Sequence, residues 1–106
     1  MSIKLWCFVP GSKDSFCVAI DRGNFIFDLK EAIKEKKRND FSNVDANRLV
    51  LWQVDIIQEQ VMTAHIDGML KDENKLKNSA TIEGTFGNIE GTNVRVIVVP
   101  IPTGES

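Results

Sequence analysis

Histidine occurs once, at His65, and cysteine twice, at Cys7 and Cys17, in a chain of 106 residues. One imidazole and two separated thiols do not make a metal cluster. Serines, cysteines and carboxylates fall at no spacing that suggests a triad. No catalytic, metal or cofactor-binding residue is therefore assigned, and the chain is read as no enzyme. His65 lies in a stretch of mixed pattern and is read as a surface or capping residue. Two cysteines are no disulfide framework. They fall on consecutive strands whose alternation sends them to opposite faces, so two reduced thiols are expected. No apolar run approaches the length needed to cross a bilayer. The first seven residues carry a lysine inside their only apolar segment and no small-residue cleavage site, so no secretory signal is read there. Gly84, Gly87 and Gly91 are too loosely spread for a phosphate-cradling loop and mark turns instead. Repeats and low-complexity tracts are missing too.

What is present describes one modest core. Apolar residues are 42% and charged residues 26% of the chain, ordinary for a soluble domain. Net charge is −2, too small to pull the whole chain toward nucleic acid or an anionic surface. The charge is uneven, with nine Lys/Arg against seven Asp/Glu in residues 1–50 and four against eight afterwards. Any basic surface belongs to the first half.

Residues 24–38 organise the rest. Ile26, Leu29 and Ile33 recur at helical spacing, flanked by Phe25 and Ala32, with Asn24 as the expected N-cap. Asp28 and Glu31 come early and Lys34, Lys36, Lys37 and Arg38 late, as the helix dipole favours. The buried stripe needs a surface, and the strands supply it. Ile3 to Val9 reads as a strand, residues 10–15 as a turn, and Phe16 to Ile20 as the returning strand. If Lys4 points to water, Ile3, Leu5, Cys7 and Val9 face the helix and Trp6 and Phe8 face away. The reverse holds if Lys4 snorkels.

Phe41 and Val44 are anchors of a polar loop before a third strand, Leu49 to Asp55. Ile57, Val61, Met62, Ile66, Met69 and Leu70 fit either a short helix or an irregular excursion with a small strand. Thr81 to Gly87 reads as a turn or short helix, with Leu76, Ile82 and Phe86 as core anchors. Val94 to Pro100 is a β-branched run ended by proline, the expected central strand.

The order β-β-α-β, long connection, β predicts an α+β fold. It is a ubiquitin-like β-grasp roll, with one main helix packed across a mixed sheet. Residues 1–100 are expected to form the domain, and 101–106 to begin a linker to a further domain. The chain lacks the terminal di-glycine that ubiquitin-like conjugation requires.

Four ordered segments also carry a resemblance: residues 3–9 with 16–21, 28–37, 49–55 and 94–100. Together they resemble the N-terminal domain of Crinkler-type effectors of fungi and oomycetes. The third segment sits where oomycete members carry Leu-x-Leu-Phe-Leu-Ala-Lys, so Leu49, Leu51, Trp52 and Val54 are the delivery-motif equivalents. Gln53, Val54 and Asp55 replace the motif's Leu-Ala-Lys, which suggests a fungal-type member. The resemblance implies a non-catalytic module of a secreted effector that serves entry into host cells. Its partners would be a host protein or its own C-terminal effector domain, which in the family often acts in the nucleus. The alternative is an intracellular adaptor that docks or regulates an attached catalytic domain.

Two surfaces are candidates. Val50, Trp52, Arg95 and Ile97 should share the sheet face away from the helix, where ubiquitin binds most of its partners, unless residues 56–91 fold over it. Lys30, Lys34 and Lys37 share a helix face and form a candidate anionic contact. Such a run is more often a solvated face laced with Glu31 and Glu35. Nucleic acid is not expected as a partner, and a free strand edge would permit a weak homodimer.

Overall fold

The computed structural model describes residues 2–10, 15–38, 45, 48–61, 68, 70–87 and 91–100. Strands β1 (Ser2–Phe8) and β2 (Phe16–Asp21) form an antiparallel hairpin, and helix α1 (Ile26–Lys36) follows. Strand β3 (Leu49–Ile56), short helix α2 (Ile82–Phe86) and strand β4 (Val94–Pro100) complete the chain. Single 3-10 turns lie at Gln58–Gln60 and Asp72–Asn74. The sheet runs β2-β1-β4-β3, with β1 and β4 parallel in the middle. This is the expected α+β, ubiquitin-like β-grasp, and β4 is central because it is apolar on both faces.

Lys4 lies on the exposed side of its strand, and the helix-facing set is the one expected from it. Leu5 and Cys7 of β1 and Phe16, Val18 and Ile20 of β2 bury against Ile26, Leu29 and Ile33. Leu49 and Leu51 of β3 and Val96 and Val98 of β4 join the same cluster. Leu76 and Ile82 are buried in it as anticipated, and Phe86 packs against it half-buried. Each such side chain is worth about 1.5–3 kcal/mol relative to exposure, so this cluster is the main stabilising term.

Asn24 is not the N-cap of α1; Phe25 takes that position. The side chain that serves the cap is Asp28, whose carboxylate accepts the Phe25 N–H at 2.9 Å. The next two amides are satisfied from far along the chain. Ile26 donates to the Ala80 carbonyl at 2.8 Å and Phe27 to that of Asn78 at 3.4 Å. The favour is returned at α2, where Ile82 donates to the Asn24 carbonyl and Glu83 to that of Arg22. Two helix N-termini thus cap one another's approach segments, and an isolated Phe25–Thr81 bridge joins them.

Residues 62–67 and 69 lie outside the described residues, and with them Met62, His65, Ile66 and Met69. Phe41 and Val44 lie outside as well. Around that gap the excursion is tied down. Gln58 accepts from Ser15 Oγ at 2.6 Å and donates from Nε2 to the Thr92 carbonyl. Val61 is buried beyond it, whereas Ile57 is exposed.

Candidate functional site

The sheet face away from α1 is built from two rows of side chains crossing β1, β4 and β3 and a third crossing β4 and β3. Trp6 pairs with Val94, which pairs with Ile56; Phe8 pairs with Ile97, which pairs with Trp52. Val99 and Val50 form the third row. Phe8, Ile56, Val94 and Ile97 are buried at its centre together with Val61, and Trp6, Trp52, Val54, Leu70 and Val99 close around them half-buried. Val61 and Leu70 come from the excursion after β3, so part of this face is covered by the chain itself.

Of the four residues expected on the face, Ile97 is fully buried and Val50 is 9% exposed. Neither side chain is a free contact surface. Trp52 remains half-buried, and its indole Nε1 is buried without an acceptor among the described residues. A buried tryptophan normally finds a partner for that N–H.

Arg95 is a different case. Trp6 pairs with Val94 and Cys7 with Val96, so Arg95 is the extra residue of a β-bulge. The ladder to β3 is irregular at the same point, passing from the Gln53–Val96 pair to Ile56–Val94. Simple alternation therefore does not set its face, and its guanidinium Nη1 pairs with Asp55 at 3.5 Å. The bulge also turns Val94 onto the Trp6 side, away from Val96 and Val98.

The delivery-motif equivalents divide the same way. Leu49 and Leu51 are fully buried against the helix, and only Trp52 and Val54 reach the other face. Lys75 bridges Trp52, and Leu76 donates to the Leu51 carbonyl at 2.8 Å, covering the outer edge of β3.

The helix lysines are not a solvated row. Lys30 is 7% exposed, because it falls between Ile26 and Ile33 on the buried stripe. Burial holds its pKa below the ordinary lysine value, and the charge of Lys75 adds a smaller push in the same direction. Lys37 lies over the Phe16 ring, 5.0 Å from the centroid, a cation–π contact. Lys34 is half-buried. Among the described residues, no three His, Cys, Asp or Glu gather as a metal site would require.

With this geometry in hand, comparison with known proteins gives a family. The model of the Crinkler effector protein N-terminal domain matches residues 3–99. The chain belongs to that family. Crinkler effector protein 108 of Phytophthora sojae is 47% identical over 51 residues, 47% of this chain and 6% of that protein. Crinkler effector protein 1 of Rhizophagus irregularis is 41% identical over 58 residues, 53% of this chain and 12% of the relative. Crinkler effector protein 16 of Phytophthora infestans is 47% identical over 51 residues, 8% of its length. The match thus covers a small part of each much longer curated relative. Among the described residues of this Crinkler domain, no helix is long and apolar enough to cross a membrane.

Sequence reasoning left Trp6 and Val99 off the candidate surface. The signal was present: Trp6 shares the period-two face of Phe8, and β1 and β3 both flank β4. Only the pairing across β4 shows that both tryptophans pack around one cluster.

Proposed function

We propose that this Crinkler domain is the non-catalytic module of a secreted effector, carrying the attached chain into host cells through protein contact made at Trp52. The family match over residues 3–99 is the observation that carries this reading. The relatives are named effector proteins and are many times longer than the matched segment, which supports a module rather than a whole effector. The half-buried Trp52, whose accessible part is ring surface rather than its buried indole N–H, is the contact point, because such tryptophans dominate interface energetics. Trp6 and Val99 are the apolar rim, and Val50 and Ile97 support them from beneath.

The test is delivery of a reporter fused after residue 106. The wild-type fusion should accumulate inside host cells, and Trp52→Ala should abolish this while melting cooperatively like the wild type. Wild-type and variant fusions entering equally would place the contact elsewhere. If neither enters and amide shifts at Trp52 appear instead on adding the effector's own C-terminal part, the domain is an adaptor for that part.

A further inference from the structure

The bulge at Arg95 opens a second site, apart from the tryptophan face. Gln53, Val54, Asp55, Asn74, Phe86 and Arg95 line a concavity of about 410 Å³. Its polar groups are not evenly spent. Gln53 Nε2 donates to the Thr85 carbonyl at 3.0 Å, which fixes the side-chain amide and leaves Oε1 as an acceptor with no donor among the described residues. Asn93 Nδ2 donates to Asp55 Oδ1 at 2.8 Å, and Arg95 Nη1 faces Asp55 Oδ2 at 3.5 Å. Three donors are thus directed at the protein's own acceptors. A carboxylate offers about four acceptor positions and an amide oxygen two, so acceptor capacity remains on both Gln53 and Asp55. Asp55 is 63% exposed at the rim and Arg95 is 23% exposed behind it, so an entering group meets the carboxylate first. The ring of Phe86, half-buried, forms an apolar wall beside them.

We propose that this concavity binds an arginine side chain of a partner polypeptide. The chemistry selects it over the alternatives. A guanidinium brings several in-plane donors for Gln53 Oε1 and the Asp55 carboxylate, and its flat cation suits an aromatic wall. A carboxylate would have to displace Asp55 from Arg95 while Asn93 still holds it. The Asp55–Arg95 pair is neutral as a unit, and residues 51–106, which supply every lining group, carry four cationic against eight anionic side chains.

The experiment is a nitrogen-15 shift titration of the whole chain with three blocked tripeptides, Gly-Arg-Gly and its citrulline and glutamate counterparts. The arginine peptide should shift the Gln53 side-chain amide and the backbone amides of residues 53–55 and 86 to saturation. Citrulline, neutral and nearly isosteric, should bind at least about tenfold more weakly, the worth of one charge-assisted hydrogen bond. Asp55→Asn, which keeps one acceptor oxygen for Asn93 or Arg95 and sets an amide NH2 against the other, should weaken the arginine peptide similarly. Gln53→Leu should do so without touching the Asp55–Arg95 pair, and it decides the matter if Asp55→Asn loses its fold. Saturation by the glutamate peptide, affinity unchanged in both variants, or no shifts at millimolar peptide would each overturn the proposal. Trp52→Ala should leave the titration unchanged, so the failure of either site is distinguishable from the failure of the other.

Discussion

Single side chains here carry roles that their type alone does not announce. Cys7 is fully buried on the helix side of β1, and its thiol faces the Leu5 carbonyl at 3.6 Å. Burial pushes its pKa far above the ordinary range, with Cys17 adding to the rise. Cys17 pairs with Trp6 on the opposite face and is half-buried, and both thiols are free. Native-state alkylation should therefore label Cys17 and spare Cys7 until denaturant is added, read by peptide mass; equal labelling would mean that β1 opens readily. Lys30 makes the opposite kind of prediction. Its folded pKa is depressed, so the unfolded chain binds more protons between that value and the ordinary one, and stability rises with pH across that window. Below the window the cost of the buried charge is fully present. Lys30→Met should accordingly raise the melting temperature at neutral pH and flatten the alkaline rise. A lower melting temperature would mean that the ammonium makes a contact the fold needs.

At the scale of elements, the strands were legible because their apolar residues are β-branched or aromatic and keep period two. The helix was legible from its stripe, but its start was not. Asn24 is a good cap residue by type, yet the amides it would have capped are taken by carbonyls of residues 78 and 80, more than fifty positions away. No local pattern encodes that exchange. Nor does Val94 to Val99 betray a bulge, because a run apolar on both faces looks regular in any register. For the candidate site this meant that the Trp52 row could be read from alternation and strand order, whereas the concavity at Arg95 could not. The α2 cap offers a test of local logic. Thr81 Oγ1 accepts the Gly84 amide at 3.0 Å, and a Cβ added at Gly84 would lie 2.7 Å from that same oxygen. Thr81→Ala should cost about 1 kcal/mol for the lost cap. Gly84→Ala should destabilise in the presence of Thr81 although alanine favours a helix by about 1 kcal/mol. In the Thr81→Ala background the same change should become neutral or stabilising. A urea-denaturation double-mutant cycle measures the coupling, and additive effects would mean that Thr81 moves aside freely.

For the molecule as a whole, the strands nearest its two ends are neighbours in the middle of the sheet. Within the sheet, β1 hydrogen-bonds β2 on one side and β4 on the other, and β3 pairs with β4 as its one strand neighbour among the described residues. Removing residues 94–106 would delete Val94, Val96, Ile97 and Val98, all fully buried. Their burial is worth roughly 6–12 kcal/mol at 1.5–3 kcal/mol each. Whole-domain stabilities are about 5–15 kcal/mol, so the truncated chain should not fold. Far-UV circular dichroism should lose its cooperative melt, and tryptophan emission should shift to that of solvated indole. A retained melt would mean that the hairpin, α1 and β3 assemble without their centre. The same chain separates two physical accounts of delivery, because it keeps every residue from Leu49 to Val54 while losing Ile97, which seats Trp52 in its row. If delivery reads a folded surface, the truncated module should fail to carry a fused reporter into host cells, as Trp52→Ala should. If it reads a linear segment, the unfolded module should carry the reporter at least as well, since Leu49 and Leu51 are accessible only when the sheet is open. Burial of those two leucines in the native domain favours the surface, and efficient delivery by the truncated chain would reverse that conclusion.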